Sequence, residues 1–267
     1  MTIKLIAVDM DGTFLNSKME YNRPRFRKLY HRMKEQEIRF VVASGNQYFQ
    51  LKSFFEDFQD EITYVAENGA FIIDQGKELF SVDINEDLNR KVMDFIRDNP
   101  TMRVIICGKN NAYVLKTDQE LYDGASRYFH RIKRVDSFDE ISDQILKFSF
   151  IFRNATAASY VPMFKESFGE LMFPVTSGPN NIDLIVPGIT KGAGLEMLCE
   201  KWGISRDEVL VFGDSNNDLE MIRYAKFGYA MKNADDSVKE VTDLIADSNE
   251  EDGVNTIIEL FLDQQGN

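Results

Sequence analysis

The chain has 267 residues, of which 43% are hydrophobic, 28% charged and 12% aromatic, an ordinary globular composition with enough apolar residues for one large core or two modest ones. A formal net charge of −13 argues against a nucleic-acid partner, which needs a basic face, and means that any anion site must carry its own cations. No apolar run approaches membrane-spanning length and the N-terminus lacks the order of a signal peptide, so no membrane partner is expected and cytoplasmic residence is the default.

In chain order, the run from Ile3 to Val8 reads as a parallel strand buried on both faces, and it ends in Asp9-Met10-Asp11-Gly12-Thr13, two carboxylates two residues apart followed by a glycine turn. Ligands of open α/β sheets bind just beyond the carboxyl ends of the strands. Bare carboxylates there are costly without a cation or hydrogen-bond donors. The pair suggests a metal-assisted nucleophile, with a solvated acidic turn as the equal alternative on this fragment alone. Asn22-Arg23-Pro24 then marks a helix start, followed by Phe26, Leu29, Tyr30 and Met33 at helical spacing. The basic residues interleaved with them, such as Arg25 and Arg32, read as a solvated face rather than a docking patch. Residues 38–43 form a second buried strand ending in Ser44-Gly45-Asn46. An aromatic-rich helix over 48–58 follows, and residues 64–66 form a third strand ending in Glu67-Asn68-Gly69. This β-α-β-α-β order implies a parallel sheet with right-handed crossovers.

The texture changes after residue 83. Helical stretches at 88–97, 120–128 and 157–168 alternate with strand-like pieces at 103–107, 112–116, 146–152 and 182–186, and the turn Gly108-Lys109-Asn110-Asn111 suggests a hairpin in an antiparallel sheet. We expect an inserted α+β domain over residues 84–186, with residues 1–83 and 187–267 as the first domain. Pro187-Gly188 marks the return. Lys191 opens a helix, and the strand over 209–212 leads into Gly213-Asp214-Ser215-Asn216-Asn217-Asp218. Strand-like pieces at 229–231 and 244–246 and a helix over 254–262 complete the chain. Cys107 and Cys199 lie far apart and read as small core hydrophobes, and His31 and His130 fall in no motif.

Three strand ends thus bring Asp9 and Asp11, Ser44, and Asp214 and Asp218 to one edge of one sheet, with Lys191 at a helix start beside them. These acidic side chains flanking one lysine call for a bound cation, and carboxylate oxygens without His or Cys select magnesium. Ser44 and the amides opening the next helix make a phosphate cradle, to which Lys191 adds charge. A carboxylate nucleophile, magnesium and a lysine together describe phosphoryl transfer through an aspartyl-phosphate.

These motifs, in this order, resemble the four motifs of the haloacid dehalogenase superfamily: the Asp9–Thr13 run, Val42-Ala43-Ser44-Gly45-Asn46, Lys191, and the Gly213–Asp218 run. An insertion between the second and third matches its C2-type cap, and Ala66-Glu67-Asn68-Gly69-Ala70 is similar to its Cof-type branch. The resemblance implies a Rossmann-like α/β core with an inserted α+β cap. It implies that Asp9 is the nucleophile and Asp11 the acid and base, and that magnesium is held by the Asp9 carboxylate, the Asp11 carbonyl and Asp214. Ser44, Gly45, Lys191 and Asn217 would bind the phosphoryl group, with Thr13 and Asp218 supporting them from behind. Many Cof-type relatives have Thr-Gly-Arg where this chain has Ser44-Gly45-Asn46, so one cation is missing near the phosphate. The expected activity is hydrolysis of small phosphorylated metabolites, sugar phosphates foremost. A phosphosugar mutase with the same nucleophile is the alternative. Cap residues such as 178–183 are candidates for sugar contacts.

Overall fold

A computed structural model describes residues 2–153, 156–176 and 180–266. The strands in chain order are β1 (Leu5–Val8), β2 (Arg39–Ala43), β3 (Thr63–Ala66), β4 (Phe71–Asp74), β5 (Lys77–Ser81), β6 (Arg103–Gly108), β7 (Ala112–Leu115), β8 (Ile132–Val135), β9 (Ile145–Ile151), β10 (Phe173–Thr176), β11 (Asn181–Ile185), β12 (Val209–Gly213), β13 (Phe227–Met231) and β14 (Ile245–Ala246). They form two sheets, an eight-stranded one in the order β14-β13-β12-β1-β2-β3-β4-β5 and a six-stranded one in the order β10-β11-β9-β6-β7-β8.

In the larger sheet β1 is central and pairs in parallel with both β12 and β2. Its four residues are completely buried, as a strand covered on both faces must be. The polar residues that follow β1, β2 and β12 therefore emerge side by side at one sheet edge. The parallel order extends through β13, β14 and β3. The sequence reading did not place β4 and β5, which add to the edge in antiparallel fashion. Flanking helices cover the faces. The helix Arg23–Glu35 is capped by the Asn22 side chain and buries Phe26, Leu29, Tyr30 and Met33, the stripe expected from their spacing. Its basic face is partly tied down, since Arg25 bonds Asp252 at 2.8 Å and Glu259 at 2.6 Å in the C-terminal segment.

The smaller sheet is antiparallel except for β7 and β8, which run parallel. Two expected helices are shorter than their apolar patterns. The one starting at Tyr48 ends at Phe54, and Phe55 and Phe58 reach the aromatic cluster around Phe26 from turns instead. The pattern over 157–168 divides into a 3-10 turn, Ala157–Ser159, and a helix, Val161–Phe168. Pro162 lies in that helix's first turn, where its missing N–H costs nothing, and it cannot sit in the middle of a continuous helix. Cys107 and Cys199 are buried free thiols, and no helix of the described residues is long and apolar enough to cross a membrane.

Candidate active site

β1 delivers Asp9, and the helix Lys191–Trp202 delivers Lys191 from its first position, where Thr190 caps it by accepting from the Ala193 amide. The buried Lys191 Nζ donates to Asp9 Oδ1 at 2.6 Å and to Asp218 Oδ1 at 2.7 Å. Asp218 Oδ2 accepts from the amides of Asp214 and Ser215 at 3.0 and 3.1 Å, so both its oxygens are engaged. Asp214 is oriented by Thr13, whose hydroxyl donates to its Oδ1 at 2.9 Å. Gly12 lies at φ +78°, and a Cβ there would stand 2.4 Å from Asp214 Oδ2, so only glycine lets the turn after β1 close on that carboxylate.

Asp9, Asp214 and Asp218 each bring a carboxylate oxygen within 4.8 Å of the others, a grouping that fits a metal ion. Asp218 is the third member of this group, and the ligand expected of Asp11 is its backbone carbonyl rather than its side chain. Asp218 already accepts from Lys191 and two amides, which leaves its oxygens the most engaged of the three. The Asp11 carboxylate accepts a hydrogen bond from the Asn46 side-chain amide. Asn46 therefore orients the Asp11 side chain. Ser44 is buried at the end of β2, and its hydroxyl accepts from the backbone N–H of Asn46 at 3.1 Å. Asn217 accepts from the Ser215 hydroxyl at 2.8 Å and donates to Asn68 at 3.0 Å.

Crowded carboxylates in a cleft resist ionisation. Desolvation holds the Asp9 pKa well above the usual range against the pull of Lys191, with Asp218, Asp214 and Asp11 adding repulsion. Desolvation also raises Asp214, to about 6. Asp11 is raised by desolvation too, with the Asn46 hydrogen bond opposing, although its side chain is exposed at the cleft. A raised carboxyl at position 11 suits a group that must give and take a proton.

The site continues into a second polar cluster that sequence reasoning did not find as a site. Lys147 of β9 lies between Glu67 and Asp183, at 3.1 and 2.8 Å, and all three are at most 2% exposed. The alternation Lys147-Phe148-Ser149-Phe150 was a signal available in the sequence. Asp183 belonged to the candidate cap segment 178–183, of which residues 178 and 179 lie outside the described residues. Neither Glu67 oxygen makes a hydrogen bond of regular geometry, and desolvation raises its pKa despite Lys147. Its ionised form therefore costs stability as pH rises from the ordinary glutamate value through the raised one. Thermal melts of Glu67→Gln should show a larger gain over the unsubstituted protein at about pH 8 than at about pH 5. Equal midpoints at both would mean Glu67 is comfortably ionised.

The profile of a family described as haloacid dehalogenase-like hydrolase matches residues 6–258. The chain is 44% identical over 263 residues to the 5-amino-6-(5-phospho-D-ribitylamino)uracil phosphatase YbjI of Escherichia coli (strain K12), covering 98% of this chain and 97% of that protein. It is 30% identical over 253 residues to a phosphatase of the same description, YcsE of Bacillus subtilis (strain 168), covering 94% and 93%. A crystal structure of a Streptococcus mutans UA159 protein superposes with a TM-score of 0.92 at 34% identity, covering 98% of this chain and 99% of that one.

Proposed function

The chain belongs to the haloacid dehalogenase-like hydrolases and is a phosphatase of that family, and we propose that it hydrolyses small phosphomonoesters with magnesium through an aspartyl-phosphate on Asp9. The observation that carries this reading is the Asp9 carboxylate, gripped through one oxygen by Lys191 at 2.6 Å and within reach of Asp214 at the ends of two adjacent strands. Asp9 and Asp214 would hold the magnesium together with the Asp11 carbonyl, and the ion would neutralise phosphoryl charge. Ser44, Gly45, Lys191 and Asn217 hold the phosphoryl oxygens.

In the first step an Asp9 oxygen attacks phosphorus, the bond to the leaving oxygen breaks, and the Asp11 carboxyl gives its proton to that oxygen. In the second, Asp11 takes a proton from a water that attacks the phospho-aspartate, and the Asp9–phosphorus bond breaks to release phosphate. Positioning and charge neutralisation supply most of such a rate enhancement. The division of the chain into a core (1–83 and 187–267) and a cap (84–186) is part of the same reading.

The substrate we infer carries its phosphate on a polyhydroxy chain. The ribityl phosphate in the name of the 44%-identical relative and the sugar phosphates expected from sequence share that chemistry. The test is phosphate release from a panel of both kinds, with magnesium and with a chelator. Release that falls on the order of a hundredfold or more without magnesium is the expected result. Unchanged release under chelation would remove the metal from the reading, and interconversion of phosphosugar isomers without release would replace the phosphatase by the mutase.

A further inference from the structure

We propose that Asn68, Lys147 and Asp183 are positioning residues through which the six-stranded sheet sets the phosphoryl-binding groups Asn217 and Gly45, an inference that rests on the phosphatase reading above. The geometry begins at the turn Glu67–Gly69 after β3. Its three residues hold φ values of +52°, +58° and +96°. Two non-glycine residues in succession in the left-handed region are costly and persist only where their surroundings over-determine them. On one side the turn is wedged against the start of the Lys191 helix, since a Cβ on Gly69 would lie 2.3 Å from the Thr190 carbonyl oxygen. On the other it meets β9 and β11.

The hydrogen bonds form one continuous chain. Asn217 donates to Asn68 at 3.0 Å, and Asn68 donates to Asp183 Oδ2 at 2.8 Å. Asp183 also accepts from Lys147 at 2.8 Å and, through Oδ1, from the Ser149 hydroxyl at 2.6 Å. Two donors of the Lys147 ammonium bond Asp183 and the Gly45 carbonyl, at 2.8 and 2.6 Å, and Glu67 is an ion-pair neighbour at 3.1 Å. The Asp183 carboxylate can only accept, so it fixes which way the Asn68 amide faces, and Asn68 in turn fixes Asn217.

Stability does not account for this arrangement. A fully buried lysine between two carboxylates is commonly no better than an apolar packing of the same volume. What the network achieves is orientation, because both of its outlets end on the loops assigned to the phosphoryl group.

The experiment compares the unsubstituted protein, Asp183→Asn, Asn217→Ala and the double variant in the presence of magnesium. The readouts are kcat, KM, the affinity for inorganic phosphate by calorimetry, and the thermal midpoint. Asp183→Asn is expected to lower kcat and phosphate affinity about tenfold or more, and to lose part of that effect once Asn217 is already alanine, the remainder running through Lys147 and Gly45. Losses that add in full, or a shifted midpoint with kcat and phosphate affinity unchanged, would overturn the proposal and leave a structural strut. Should Asp183→Asn not fold, Asn68→Gly carries the same test. Glycine accepts the +58° backbone and removes the side chain that carries the amide, so the same losses are expected and the same nulls count against the proposal. A protein that binds phosphate through this network but hydrolyses nothing in the panel would sink the phosphatase reading alone.

Discussion

Asp9→Asn is expected to fold, to melt at or above the temperature of the unsubstituted protein in metal-free buffer, and to release phosphate at least about ten-thousandfold more slowly. The two halves of this result have one physical source. Burial raises the Asp9 carboxyl well above its ordinary range, and Asp218, Asp214 and Asp11 push it further, with Lys191 only partly compensating. An ionised Asp9 therefore costs folding free energy at neutral pH, and the neutral, isosteric amide removes that cost while still accepting from Lys191. The same substitution removes the oxygen nucleophile, for which no neighbouring carboxylate substitutes: Asp218 is engaged through both oxygens, Asp214 is turned by Thr13, and Asp11 is held by Asn46. Loss of activity with a lowered midpoint would point instead to damage to the fold. Activity within tenfold of normal would remove Asp9 from the role of nucleophile.

The parts of the site that lie at strand ends were legible in the sequence because burial on both faces leaves a plain mark. The apolar run of β1 has no polar break until Asp9, and the same holds for β2 before Ser44 and for β12 before Asp214. Parallel pairing then converts three separate stretches of sequence into neighbours. The Lys147 cluster was not legible for the opposite reason. A period of two in β9 says that Lys147 and Ser149 share a face, and a polar face is ordinarily assigned to water. Only the folded arrangement turns that face onto Glu67 and the Gly45 carbonyl. Asn46 is a similar case. Nothing in the local sequence says that its amide reaches across to Asp11. The missed strands β4 and β5 add an antiparallel edge, beyond the β-α-β rhythm on which the parallel order was inferred.

Lys191→Met is expected to abolish phosphate release as completely as Asp9→Asn, with the opposite effect on stability: a loss of about 3–5 kcal/mol at neutral pH. Lys191 is buried to 1% exposure and its ammonium is shared between Asp9 and Asp218. Methionine fills much of the same volume, so cavity formation contributes little and the change is mainly electrostatic. Asp218 would keep its two amide donors at Oδ2 but lose the partner at Oδ1, while Asp9 would face Asp214 and Asp218 with no opposing charge from position 191. Breaking one side of a buried ion pair costs more than the pair was worth, because the other side stays desolvated. Added magnesium should return part of the lost midpoint, since a cation that binds the native carboxylates and not the unfolded chain stabilises by mass action. Melts of both variants with and without magnesium separate the contributions. If Lys191→Met melts with the unsubstituted protein, the carboxylates were not relying on the lysine. If magnesium returns none of the midpoint, Asp9 and Asp214 are not the metal's ligands. The expected pattern, two inactive variants displaced in opposite directions and only the lysine variant drawn back by magnesium, would follow from the surplus of negative charge at this strand edge.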